Sequence, residues 1–244
     1  MNNTKIFTSA IIAFAIVFSS LALRNAWVKG KKGNERISVT GLASKDFVSD
    51  LIVWKGNFSR MSMNTAEAFN DLKRDADMIK TYLISKGVTE NEIVFSSVTI
   101  NKQFQQVQMG ENNWKQVFIG NQLTQQVQIE SREVDKIERI SRDITELIGQ
   151  QIELNSIAPN YFYTKLADLK IEMLAAATKD GRTRAEKIAE NSKTKISGLN
   201  NADMGIFQIT AQNSTEDYSW GGAFNTSSKN KTASITVKLN FNIN

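Results

Sequence analysis

An α+β fold carried mainly by antiparallel sheet is the class this sequence predicts, on three observations. Its β segments alternate apolar and polar residues with a period of two, as half-buried strands do. Strands fall in adjacent pairs as well as on both sides of helices, in the order β-β-α-β-β-β-α-β-α-β-β. None of these segments is the unbroken apolar run that a central parallel strand needs. Three amphipathic helices are expected to cover the sheets, behind an N-terminal hydrophobic helix. The stretches around helices 64–85 and 134–148 share a plan that fits a duplicated β-α-β unit, although no sequence repetition links them.

Residues 1–33 stand apart. Lys5 is followed by an apolar run, residues 6–23 (IFTSAIIAFAIVFSSLAL), and then by Arg24, Lys29, Lys31 and Lys32. An uncharged run of about 18 residues is either a membrane anchor or the core of an export signal. Ser20-Leu21-Ala22 offers a small-x-small cleavage triplet. The run is nevertheless longer than a signal core, and Trp27 suits a headgroup-level position. The basic residues after the run argue the other way on sidedness. The expectation is export with retention at the membrane through residues 6–23. Residues 34–244 then form one α+β domain.

Within the body, residues 37–43 (ISVTGLA) read as a short strand. Residues 47–61 read as a long one, with Val48, Ile52, Trp54 and Phe58 on one face and Ser49, Lys55, Asn57 and Ser59 on the other. Asn64 suits the cap of a helix running to Ser85. Phe69, Leu72, Ala76, Ile79 and Leu83 make its apolar stripe, and Lys73, Arg74, Asp75, Asp77 and Lys80 its wet side. Gly87, free to take a positive φ, stops it. Strand 93–101 follows Thr89–Glu92. Residues 102–116 are glutamine-rich, with 109–113 (MGENN) as a hairpin tip. Strand 117–130 sets Val127 and Ile129 on one face.

Helix 134–148 turns Ile137, Ile140, Ile144 and Leu147 to the core and ends at Gly149. Segment 151–163 is extended, and its Pro159, which has no N–H for a ladder, marks a bend or an edge. The longest helix, 165–193, carries the stripe Leu166, Leu169, Met173, Ala177, Gly181, Ala185, Ile188 and Ala189. The second half of that stripe is nearly all small, which suits close approach to a neighbour. Gly198 follows its end. Strand 203–211, a polar loop 212–231 and strand 233–243 complete the chain. The last alternates Ala233, Ile235, Val237, Leu239, Phe241 and Ile243 with Ser234, Thr236, Lys238, Asn240 and Asn242.

Composition narrows the chemistry. Of 244 residues, 41% are hydrophobic and 23% charged, as in a folding globular body. There is no cysteine, so the body relies on its core and its ladders, not on disulfides. There is no histidine, which removes the commonest general base and the commonest metal ligand together. The net charge is +5, and the charged residues of the body are dispersed, with no long basic block beyond residues 29–32, so no nucleic-acid partner is expected.

These residues resemble the SIMPL-domain family of bacterial envelope proteins, which includes periplasmic immunogenic proteins and outer-membrane antigens. The matching points are Ile37-Ser-Val-Thr-Gly41 with the Ala/Ser-x-Asp stretch after it, and Lys86-Gly87-Val88 ahead of Ile93 and Val98. Val127-Gln-Ile129 before Val134-Asp135-Lys136 is another, as are Ala175, Ala176, Ala177, Ala185 and Ala189 on the long helix. The closing Val237-Lys-Leu-Asn-Phe241 completes the set. The resemblance spans residues 35–244, includes Tyr161-Phe-Tyr163 loosely and finds no counterpart for the glutamine-rich hairpin. It implies an envelope-exposed α+β protein without an established enzymatic activity. Some members are associated with oxidative or envelope stress, and some with self-assembly. No catalytic residue is defined for the family, so none carries over.

The residues themselves offer no catalytic, cofactor or metal set. Asp75 and Asp77 are two apart on a helix and do not share a face. Glu90 and Glu92 flank a strand start. Asp180, Glu186 and Glu190 interleave with Arg182, Arg184 and Lys187 as solvated ion pairs. Gly221-Gly222 lacks a phosphate-loop frame. The strongest functional candidate is loop 213–231 (NSTEDYSWGGAFNTSSKNK), where Tyr218, Trp220 and Phe224 either anchor a partner or fold back onto the core. Trp114 has the same two readings. The leading function is a non-enzymatic envelope module of assembly or binding that acts as a homo-oligomer. Its rivals are an envelope hydrolase using carboxylates or a Ser-Lys pair, which needs a deep pocket with two converging ionisable groups, and a carrier of a small apolar ligand, which needs an apolar cavity between helix and sheet.

Overall fold

The computed structural model of the chain describes residues 13–24, 27, 35–110, 113–216 and 219–244. Helix α1 covers residues 13–24. The body then runs β1 (Arg36–Val48), β2 (Leu51–Ser62), α2 (Thr65–Ser85), β3 (Ile93–Phe95), β4 (Thr99–Gly110) and β5 (Asn113–Ser131). Next come α3 (Val134–Asp143), a 3-10 segment Ile144–Gln150, β6 (Leu154–Phe162), α4 (Leu166–Asn191), β7 (Ile196–Met204), β8 (Gln208–Ala211) and β9 (Asn230–Ile243). The class is α+β, as the sequence predicts. Among the described residues no helix is long and apolar enough to cross a membrane. Residues 6–12, the first part of the apolar run, lie outside the described residues.

The chain divides into two compact units: one of residues up to Lys45 with Asp168–Phe207 and Ser234–Asn244, the other of Asp46–Ala167 and Gln208–Ala233. The second holds a sheet of order β3-β5-β2-β6, with β4 added on β5. Each of its pairings is antiparallel. Strands β2 and β3 therefore run parallel with β5 between them, and β5 and β6 run parallel with β2 between them. Helix α2 makes the first crossover and α3 the second. These are two split β-α-β units in a ferredoxin-like arrangement, so the plan shared by the two stretches of sequence is a topological one.

Both helices press on one face of this sheet. Ile52, Trp54 and Phe58 of β2 and Leu123, Val127 and Ile129 of β5 meet Leu72, Ile79 and Leu83 of α2 and Ile137 and Ile140 of α3 in one core. The Trp54 ring occupies the space above Gly56, where an added Cβ would sit 2.9 Å from the indole. Its N–H is satisfied by Ser156 Oγ at 2.9 Å, and that hydroxyl donates onward to Ser141 O at 2.6 Å. Beneath α2, Arg60 forks onto Asp75 and donates to Gln151 O at 2.7 Å.

In the other unit β9 lies between β1 and β7, and α4 packs on the sheet. The buried stripe of α4 has a strict spacing of four: Leu169, Met173, Ala177, Gly181, Ala185 and Ala189. A Cβ on Gly41 would fall 2.0 Å from Ala177 O and 2.9 Å from Gly181 Cα, and one on Gly181 would fall 3.3 Å from Gly41 Cα. Helix and strand are thus in backbone contact, as the small-residue stripe suggests. Asp180 Oδ2 accepts from the Leu42 N–H of edge strand β1 at 2.9 Å, so the helix also satisfies a strand donor.

Several expectations are corrected. The strand expected over 47–61 breaks at Ser49–Asp50, so Val48 ends β1 and is exposed. In α2 the helical spacing brings Ala68, not Phe69, to the core, and Asp75 is buried by its ion pair with Arg60. The strand expected over 93–101 splits into β3 and β4, and β4 takes in the glutamine-rich residues. The positive-φ stop after α3 is Gln151 (φ 61), not Gly149. After α4 the residue with positive φ is Lys193 (φ 56), and Gly198 belongs to β7. Ile188 falls off the four-residue stripe and is exposed. The strand expected over 203–211 is interrupted between β7 and β8. Pro159 is placed as expected, on edge strand β6 at the register shift opposite Val53 and Lys55.

Candidate interaction surface

Two stretches of the unit that contains the five-stranded sheet hold large apolar side chains in water. The first is the ribbon formed by β4 and the front of β5. Strand β5 pairs with β2 from Asn121 to Ser131, whereas its front half pairs with β4, from Gly110↔Asn113 to Lys102↔Asn121. The register shifts between Gln103 and Phe104, leaving Ile119 as a bulge. Beyond it Phe104 and Phe118 stand opposite each other, ring centroids 5.7 Å apart in an edge contact. Val107, Met109, Trp114 and Val117 continue toward the tip, all exposed, with Trp114 at 60%. The sequence signal for β4 was the alternation Gln106-Val107-Gln108-Met109, which its glutamines masked.

The second stretch is the loop between β8 and β9. Its expected aromatic residue Tyr218 lies outside the described residues. Trp220 is 96% exposed and Phe224 55%, so neither ring is in the core. The turn under Trp220 is held, however. Gly222 N donates to Ser219 O at 3.0 Å, with Gly222 at φ 91. The buried Gln208 side chain donates to Ser219 O at 2.8 Å and accepts from Ala223 N at 2.6 Å and Ser219 N at 3.3 Å. Ile209 N donates to Ala223 O at 2.7 Å, and Asn225 N to Ile209 O at 2.9 Å. One carboxamide on β8 and the strand beside it therefore template the turn, a role that nothing in the sequence singled out.

Two lysines tie the far end of the loop. Lys229 pairs with Asp135 and, at 3.4 Å, with Glu138 on α3, which raises its pKa above the ordinary lysine value. Lys231 is 2% exposed and donates to Asn225 O at 2.6 Å. Burial drives its pKa down to about 8, against a smaller opposing pull from Glu216. Glu216 itself accepts from Ala211 N at 3.0 Å and from the Asn225 amide at 2.5 Å.

The rival chemistries find less geometry. Asp75 is spent on Arg60, whose pKa rises through that hydrogen bond. On α4, Arg184 pairs with Asp180, Arg182 with Glu186 and Lys187 with Glu190, as expected of solvated pairs. The main-chain N–H of Leu42 is the larger cause of the lowered Asp180 pKa. A groove of about 600 Å³ along α2 is lined by Asn70, Lys73, Arg74, Asp77, Thr81 and Tyr82 among others, and lies on the helical surface. A second, of about 450 Å³, is lined by Asn57, Ser59, Gln122, Thr124 and Asn155 beside Phe58, Ile148 and Leu154. Neither is an apolar cavity enclosed between helix and sheet. Among the described residues no group of three acidic, cysteine or histidine side chains is placed to hold a metal ion.

No curated protein matches this chain. The model of the SIMPL family, described as a protein of unknown function (DUF541), matches residues 37–241, a span that takes in the glutamine-rich ribbon and the Trp220 loop, and the chain belongs to that family.

Proposed function

We propose that this protein is a non-enzymatic assembly or binding module of the bacterial cell envelope, held at a membrane by residues 6–23. It works by contact, as a homo-oligomer. The observation that carries this reading is the β4–β5 ribbon. A two-stranded hairpin is marginal in water by itself, and this one keeps Phe104, Val107, Met109, Trp114 and Val117 exposed. Trp114 and Phe104 stand on one face and Val107, Met109 and Val117 on the other, and apolar side chains exposed on both faces are expected to be covered by a partner. The apolar run supports the membrane placement, and the resemblance to envelope proteins supports the compartment. An involvement in oxidative or envelope stress rests on that resemblance alone.

The test is the mass of the full chain in mild detergent, by light scattering after size exclusion. The wild type is expected to run as an oligomer and the double substitution Trp114→Ser, Val117→Ser as a smaller species. A monomeric wild type defeats the reading. Sidedness is checked separately by protease protection in spheroplasts, where the body should be digested from outside.

A further inference from the structure

We infer that the Ser219–Phe224 turn is a second membrane contact, with Trp220 seated among lipid headgroups of the bilayer that holds residues 6–23. The inference rests on the membrane placement proposed above and adds to it a residue and a ligand class.

The indole is 96% exposed, yet it stands on backbone fixed by the buried Gln208 side chain, by the Gly222 turn and by the Ile209 ladder. A rigid turn presents the ring without an ordering cost at binding. Tryptophan prefers the boundary between hydrocarbon and water, where its ring is buried and its N–H stays wet. Residues 219–228 (SWGGAFNTSS) carry no charge, so the tip reaches the headgroup layer without desolvating an ion. Phe224, 55% exposed, adds a second ring.

The tether holds the first residue of the body near the bilayer. Residues 25–34 join α1 to the body, and about ten residues span at most ~35 Å. The body is therefore kept near the bilayer at high effective concentration, where even a weak contact is populated.

The experiment uses the full chain with Trp27→Phe and Trp114→Phe, leaving Trp220 and the buried Trp54 as reporters. The protein is reconstituted into vesicles of phosphatidylcholine and phosphatidylglycerol, with and without lipids brominated near the headgroup. Flotation reports the attachment, and the same chain with Trp220→Phe supplies the Trp54 background. The expected result is flotation with Trp220 emission shifted to shorter wavelength, quenched by the brominated lipid and protected from acrylamide. Flotation with Trp220 still quenched by acrylamide overturns the contact and leaves the anchor standing. Protection from acrylamide without bromine quenching overturns it in favour of a protein partner. Failure to float overturns both readings.

Discussion

From Leu123 to Ile129, strand β5 lies under α2 and α3 with Leu123, Val127 and Ile129 shut away from solvent; nearer its start the same strand holds Trp114, Val117 and Ile119 in water. The two halves carry comparable apolar side chains. What differs is the set of neighbours. The rear half has β2 on one side, β3 and the start of β4 on the other, and two helices above; the front half has β4. Hydropathy alone therefore does not decide where an apolar residue ends. The layers that reach it do. The front half stays a strand because its register is fixed by the buried rear.

The comparison is broken most directly from the buried side. Ile129→Ala should cost about 2–5 kcal/mol through lost transfer and cavity terms. Ile119→Ala at the front should stay within about 0.5 kcal/mol. Urea denaturation of the two variants measures both, and equal losses would mean that the ribbon is packed as tightly as the core.

The loop offers a charged version of the same contrast, since Lys231 is buried while the adjoining Asn230 is exposed. Its folded pKa of about 8 lies below the ordinary 10.5, so the unfolded chain holds more protons between these values. Stability from this group must then rise as pH climbs from about 8 to 10.5, and the penalty is fully present below that window. The rise is at most about 3 kcal/mol. Other groups titrate there too, so the readout is wild type minus Lys231→Met. A difference that stays flat with pH would show the ammonium to be hydrated in the folded protein.

Much of the architecture was legible because period and punctuation agreed. The Asn64 cap forms, its side chain accepting from Ala66 N at 2.9 Å. Gly87 takes φ 85, and the apolar residues of the β9 alternation are buried from Ala233 to Phe241, with Ser234 of the polar set buried beside them. The losses have one kind of cause: a contact distant in sequence overrode a local signal. Asp75 reads as a surface residue until Arg60 arrives from β2. The glutamine-rich stretch reads as a hairpin with its tip at 109–113, but its strand bounds and register appear only where β5 pairs with it. Loop 212–231 reads as flexible because the residue that holds its turn, Gln208, precedes it and looks like any polar strand residue. Exposure of Trp114, Trp220 and Phe224 separates core from surface; the aromatic pattern alone did not.

A further test asks how close a small-residue contact is. Gly41 faces Ala177 and Gly181 across the β1–α4 contact, with no room for a methyl group. Gly41→Ala should destabilise by about 1–3 kcal/mol through overpacking, and Ala185→Leu, lower on the same stripe, by a similar amount. Both variants are read by thermal melting. An unchanged melting temperature for Gly41→Ala would mean that α4 stands further from the strand than 2.0 Å for that Cβ implies.

The smallest effect on stability is the most telling one. The ribbon variant Trp114→Ser, Val117→Ser removes two side chains that are 60% and 40% exposed and lie outside the buried core, so its unfolding free energy should fall by no more than about 1 kcal/mol per site. Its assembly should nevertheless fail. Stability and association are separable here because the register of β5 is set by Leu123, Val127 and Ile129, none of which the variant alters. If the substitutions cost stability on the scale of Ile129→Ala, the ribbon is part of the core in solution and its exposed rings are already covered within one chain. If they leave both stability and mass unchanged, the exposed aromatics of the ribbon hold no second copy, and the contact surface of the protein must be sought on the Gln208-templated turn.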